Sequence, residues 1–389
     1  MNVILSCFLL IPFQELGVEN ALDQPPTMKM VFEEELRVSS LEDERLFFGG
    51  RFLDLDVDDH GSIYVVYGTE NKVLVINANG EFVTALGGAG KGPGEFEHLR
   101  GFKILDSGQA IAMESGNNIC SLSYYDENMR FLTRKSKQTP FTFFDWNVTN
   151  DGANLAGMMV TFGQAVEGTR YAVLTSEFEE KFHFHAYETE NFQNFQFDDP
   201  EFWLKFIPSR LGVTAKGEIP FFAFDNQGNL FTAIGKAYEI TKWSPKGEKL
   251  AIIKKAYKPL FQSEEEIEAL VSPLKESLQS QVPVLREMFT DTFLKRAVDK
   301  SGFTNASHPI KGLLVTDSNH LIVVHEHSFL TRKAKGHVFD SAGKFLGHCE
   351  MPNNGFRYMT FHKGKAYSLS QDENEEWYVV RFRYRLEPI

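Results

Sequence analysis

Between residues 53 and 68 the chain reads LDLDVDDHGSIYVVYG, with apolar and polar positions alternating on either side of Asp58-Asp59-His60-Gly61. A period of two predicts a pair of short strands, and Gly61 supplies the positive φ that a tight turn between them needs. The next piece, KVLVINANGEFVTAL, predicts a second hairpin around Asn79-Gly80. Its Val73 and Val75 interleave with Leu74 and Ile76, so both faces of that strand are apolar and both call for cover.

Both turns recur. The first kind returns at Asp106-Ser107-Gly108, Asn150-Asp151-Gly152, Asn226-Gln227-Gly228, Asp317-Ser318-Asn319 and His362-Lys363-Gly364. The second returns as DENMRF (126–131), SEFEEKF (176–182), SPKGEKL (244–250) and DSAGKF (340–345). Six of the first against five of the second leave the last unit with three strands of its own, FRYMTFH, KAYSLSQ and EWYVVRFRYRL. The strand-like stretch Met30 to Val38 has no hairpin partner and predicts the missing fourth strand. The expected fold class is therefore all-β, a six-bladed β-propeller over 28–389 with its ring closed by the N-terminal strand. An open solenoid is the alternative, and it would need capping repeats that the sequence does not display.

The stretch GSIYVVYGTENKVLVINANGEFVTALGGAGKGPGEF (61–96) resembles an NHL-type repeat, and the chain from about residue 28 is similar to the bacterial six-bladed β-propeller proteins of the NHL-like superfamily. Blade one matches closely, the others match in their turns, and blade three departs furthest with a long outer segment from Thr189 to Gly217. The resemblance implies the fold and, usually, an exported protein. The activities of such proteins are diverse, so it carries no function across.

Between blades four and five the period changes from two to about 3.6, which predicts a helical insertion over 263–301. Ser263 and Glu266 have capping-box spacing, and Ile267, Leu270, Val271, Leu274 and Leu278 make an apolar stripe. Pro273 and Pro283 break or restart the helix, and Leu285, Met288, Phe289 and Phe293 line its second part up to Gly302. Such a pair of helices either packs on the rim or forms a lid over the channel mouth. At the other end, Val3 to Phe13 is strongly apolar and GVENALDQPP follows it, so residues 1–27 are expected to be a leader for export. No Lys or Arg precedes the apolar run, Glu19-Asn20-Ala21 is half of a small-x-small cleavage site, and lipid anchoring at Cys7 is not expected.

With 53 acidic and 40 basic residues the net charge is -13, which repels a phosphate backbone and argues against nucleic acid. No apolar run reaches the roughly 18 residues of a membrane-spanning helix. Cys7, Cys120 and Cys349 are too few for a disulfide framework and are expected to be free thiols. GGAGKGPGEF lacks the spacing of a nucleotide-binding loop, and no nucleophile elbow is present.

Candidate chemistry falls at one mouth of the channel, where blades begin and where second strands turn into third strands. Blade starts contribute Arg51, His98, Arg100, Trp146, His308, Lys311 and Arg357, and the other loops contribute Tyr67, Glu114, His325, Glu326, His327 and Asp372. Arg51, Arg100, Lys311 and Arg357 with Glu114 are the ligand-binding candidates, since guanidinium groups pair with carboxylates and phosphates; the bland alternative is that each pairs with a neighbouring acid. His325 and His327 alternate on one strand and are the metal candidates for zinc or calcium, with Glu114 or His308 as a third ligand; otherwise they are exposed or hydrogen-bonded histidines. Two functions follow. The first is an exported non-catalytic binding or interaction module for a small molecule or protein at the channel mouth. The second is a metal-assisted lyase or lactone hydrolase there, with Glu114 as base.

Overall fold

The computed structural model describes residues 17–39, 44–46, 52–161, 167–189, 199–215, 217–269, 272, 289–300, 306–328, 330–353, 355–372, 374 and 376–389. The apolar run up to Phe13, Cys7, Arg51 and the expected helix-lining Leu270, Val271, Leu274, Leu278, Leu285 and Met288, with Pro273 and Pro283, lie outside them.

Among the described residues six antiparallel meanders make up the blades, those of blades five and six being joined through Met28–Ser39 into one eight-stranded sheet. Blade one runs from Phe52–Val57 to Phe82–Gly87, blade two from Leu99–Ile104 to Phe131–Gln138, and blade three from Thr142–Val148 to Glu180–Thr189. Blade four runs from Pro220–Phe224 to Lys249–Lys255 and blade five from Gly312–Val315 to Phe345–Glu350. Blade six has Met359–His362, Lys365–Gln371 and Trp377–Pro388 from the C-terminal end, and its outermost strand is Met28–Ser39, antiparallel to Trp377–Pro388 from Met28↔Pro388 to Ser39↔Tyr378. The first strand of each blade packs beside the first strand of the next, and Met359–His362 packs beside Phe52–Val57, so the six are arranged in a ring.

Alternation explains why the sheets stack. Ile63, Val65 and Tyr67, with Leu74 and Ile76, face blade six, while Tyr64, Val66, Val73 and Val75 face blade two. Comparable apolar layers fill every other seam around the ring. Burying each such side chain contributes about 1.5–3 kcal/mol, and here one strand supplies two seams at once. Cys120 and Cys349 are free thiols within these layers.

The turns have a local cause. Oδ1 of Asn77, Asp126 and Asp340, and the hydroxyls of Thr175 and Ser244, each accept the backbone N–H groups two and four residues on. Each turn also takes one residue into left-handed space: Gly80, Gly247 and Gly343, with Met129 and Phe178 where glycine is absent.

The N-terminal segment crosses three outer edges. Gly17–Asn20 lies parallel to the last strand of blade four, the Asn20 side chain donates to Gly343 O and accepts from Phe345 N, and Met28 to Met30 run parallel to Gly347–Cys349 of blade five. Backbones approach so closely there that a Cβ at Gly347 would fall on the Met28 carbonyl oxygen.

Two helices described over their full length sit outside the sheets. Pro200–Ala215 lies between blades three and four, where only a long outer segment was expected, and Asp291–Lys300 lies between blades four and five. They meet through Trp203, Phe202, Leu204 and Ile207 against Phe289, Leu294 and Ala297, with the Trp203 and Phe289 rings edge to face at 5.1 Å. Residues 264–269 are helical, and the Ser263 hydroxyl accepts Glu266 N–H at 3.2 Å. The Glu266 carboxylate accepts the Ser328 hydroxyl of blade five, tying this segment to the propeller. No helix among the described residues is long and apolar enough to cross a membrane.

Glu35 occupies a bulge in Met28–Ser39 and faces three cations of blade six: Lys365 at 3.3 Å, Arg381 at 3.3 Å and Arg383 at 2.8 Å. Burial acts to raise its pKa, but the three cations outweigh burial and hold it below the ordinary carboxylate value. Because folding lowers that pKa, Glu35 stabilises the fold fully above the unfolded value of about 4.3, and the contribution fades as the pH falls through the lower folded value. Glu35→Gln is expected to cost about 2 kcal/mol in denaturant unfolding at pH 7 and to flatten the acid limb of the stability curve; equal curves for the two proteins would contradict this role.

Candidate functional site at the channel mouth

The six innermost strands wall a cavity of about 1030 Å³, to which every blade contributes. Of the ligand-binding candidates, Arg100, Lys311 and Arg357 reach its wall, as do Trp146, His308 and His327. Glu114 is not among the lining residues. It is buried in blade two, where it accepts Glu97 N–H at 2.8 Å and pairs with Arg134 at 3.4 Å, so its charge is spent inside its own sheet.

The two ends of the channel differ in how charge is compensated. At the end where innermost strands finish, Asp59 takes Lys363 at 2.9 Å and His362 at 3.1 Å, and Asp317 accepts Gly364 N–H and the Tyr384 hydroxyl. At the end where they start, Lys311 and Arg357 have no carboxylate partner among the described residues. Burial, reinforced by the Arg357 charge, pulls Lys311 down to about 8. Burial and the same two cations, opposed by the Glu266 carboxylate, hold His327 down to about 4, so its ring is neutral at pH 7, set edge to face on Phe356 at 5.3 Å. Arg100 is fixed differently: its Nε donates to Ser115 O at 2.9 Å and its guanidinium lies 4.8 Å from the centre of the Phe144 ring.

Deeper in the channel Asp54 and Asp56 flank Lys103, whose Nζ lies 3.1 Å from Asp56. Asp56 also accepts Ile104 N–H at 2.7 Å. Burial raises Asp54 to about 7; Lys103 opposes the shift and Asp56 adds to it. Near neutral pH one carboxyl of this trio therefore holds or releases a proton while the ammonium stays charged.

His325 and His327 are not brought together. A register shift between Val324 and Glu326 makes His325 the bulged residue, and it enters a separate pocket of about 190 Å³ between blades four and five. There it groups with His337 and His348 from the next two strands, the ligand nitrogens of all three lying within 4.8 Å of one another. Nothing in the spacing of the sequence singles out His337 and His348, whose join to His325 comes only from strand register. Burial depresses all three, His325 to about 4 and His337 to about 2.

A family model described as "6-bladed beta-propeller" matches residues 55–134. No curated protein matches the sequence. Among solved structures, the chain is similar to a member of the DUF4221 family from Bacteroides vulgatus, with TM-score 0.51 and 9% identity over 94% of this chain and 99% of that one. It is also similar to a candidate exported protein from Bacteroides fragilis (TM-score 0.49, 12% identity, 96% and 99% covered) and to virginiamycin B lyase from Staphylococcus aureus (TM-score 0.38, 11% identity, 93% and 89% covered). At such identities likeness speaks of fold alone. The six blades, the matched family model and the likeness to the Bacteroides vulgatus structure agree: the chain is a six-bladed β-propeller of a kind found in bacteria.

Proposed function

We propose that this protein is a binding module that holds an anionic small molecule, a carboxylate or phosphate, at the mouth of the channel where the innermost strands start. The observation that carries this reading is the pair Lys311 and Arg357, two cations side by side without a carboxylate among the described residues. Holding like charges together in a partly buried wall costs free energy, which a bound anion offsets. Arg100, held by Ser115 O and Phe144, adds a third donor that needs no reordering on binding. The carboxyl groups of Asp54 and Asp56 lie beyond, suited to hydroxyl or amine groups on the same ligand.

The scaffold for this reading is a propeller over 28–389, closed by Met28–Ser39, with a helical insertion over 263–301 between blades four and five. Export is the matching location, supported by the apolar run Val3 to Phe13; the chain from Gly17 on, expected within the leader 1–27, belongs with the propeller instead, since it is hydrogen-bonded along blades four and five. A metal-assisted lyase or lactone hydrolase in this mouth has less in its favour: a metal ion would have to settle beside Lys311 and Arg357, and of the two candidate imidazoles only His327 is there.

Calorimetric titration of the whole chain with citrate and with inorganic phosphate at low salt is expected to give saturable binding that weakens with added salt. Lys311→Met and Arg357→Met are each expected to weaken it at least tenfold, about 1.4 kcal/mol, and Glu114→Gln to leave it unchanged. Equal affinities across all four proteins would remove the mouth from consideration. A second measurement follows the Lys311 side chain by NMR. Arg357→Gln is expected to lift its pKa from about 8 towards the ordinary 10.5, and saturating citrate to do the same with proton uptake near pH 8; a Lys311 that titrates identically in every case would contradict the coupling.

A further inference from the structure

We infer that His325, His337 and His348 form a binding site for a divalent ion of the zinc type, on the outer part of blade five and outside the channel. The three side chains come from Leu321–His327, Ala334–Phe339 and Phe345–Glu350, three neighbouring strands of one sheet, so the scaffold fixes their spacing. His337 and His348 sit opposite each other in the ladder, and the bulge turns His325 onto the same side. Their ligand nitrogens already lie within 4.8 Å of one another.

The surroundings fit such a site. Tyr238 of blade four holds Nδ1 of His337 at 2.7 Å, which leaves Nε2 as the ligating atom and gives the ring the outer partner that metal-binding histidines commonly have. Phe345 stands edge-on to both His337 (5.5 Å) and His348 (5.3 Å), limiting how far these rings turn. Leu22 and Gln24 of the N-terminal segment, with Tyr257 and Leu260, line the remainder of the pocket. A donor set of three neutral imidazoles suits zinc and does not suit calcium or magnesium, which take oxygen ligands. Three ligands also leave one tetrahedral position open for water or a small anion.

Two features work against the ion and set its behaviour. The His325 and His337 rings are stacked at 3.8 Å and 12°, so coordination requires one of them to turn out of the stack. His325 is the one with room, being half-buried and set on the bulge. Lys255, whose ammonium donates to Ala21 O and lies 4.2 Å from the centre of the Phe345 ring, places a positive charge in the same pocket. Replacing it with a neutral side chain therefore strengthens binding, a change of sign that a chance surface contact with zinc would not reproduce.

The test is equilibrium dialysis of the whole, metal-stripped chain against zinc, with calcium and magnesium as controls, beside thermal unfolding with and without zinc. One zinc per chain is expected, with neither control ion bound at the same concentration. His348→Ala, at an exposed position, and His325→Ala are expected to weaken zinc at least tenfold and to abolish the rise in Tm that zinc gives the parent. Lys255→Met is expected to tighten it. No bound zinc, equal zinc affinity in the parent and both histidine variants, or equal retention of calcium would overturn the site. Because none of these residues belongs to the anion-binding mouth, citrate binding is expected to be unchanged in all three variants, and the two readings stand or fall separately.

Discussion

The ladder between Met28–Ser39 and Trp377–Pro388 joins the two ends of the described chain, and the rest of the ring leans on it. Trp377–Pro388 would otherwise present a long row of unpaired N–H and C=O groups, the kind of edge that recruits other chains. The same strand is also hydrogen-bonded to blade five, so a single segment holds two blades in register. Its bulge at Glu35 does electrostatic work as well, gathering Lys365, Arg381 and Arg383, which lie on two strands of blade six and would repel one another without a common acid.

That outer stitching leaves the inside free for charge. Apolar side chains fill the seams between sheets, so polar groups on the first strands have only the channel to occupy. At one end Asp59 is paired with Lys363 and His362, and Asp317 is hydrogen-bonded by Gly364 N–H and the Tyr384 hydroxyl. At the other, Lys311 and Arg357 stand without a carboxylate among the described residues, and burial together with the Arg357 charge depresses the Lys311 pKa.

Much of the architecture was legible in the sequence because its determinants are local. A side-chain oxygen that caps the N–H groups two and four residues on leaves a mark within five letters, and Asn77, Asp126 and Asp340 all carry it. Alternation at Val73 to Ile76 likewise announced a strand covered on both sides. What was not legible depends on register or on distant partners. The rule that residues two apart share a face placed His325 beside His327, and one bulge undid it. Glu114 looked available until Arg134, from the fourth strand of the same blade, was seen to reach it. Helix Pro200–Ala215 gave little helical periodicity, since PEFWLKFIPSRLGVTA mixes apolar residues around the axis and contains Pro208.

The N-terminal stitching also dictates an order of events during synthesis. Residues 17–39 leave the ribosome more than 200 residues ahead of their partners in blades four, five and six. The middle blades can stack as they emerge, while this segment must wait, unpaired, for most of translation. Its many acids, Glu33, Glu34 and Glu35 among them, keep the waiting strand soluble until the strand it belongs beside exists.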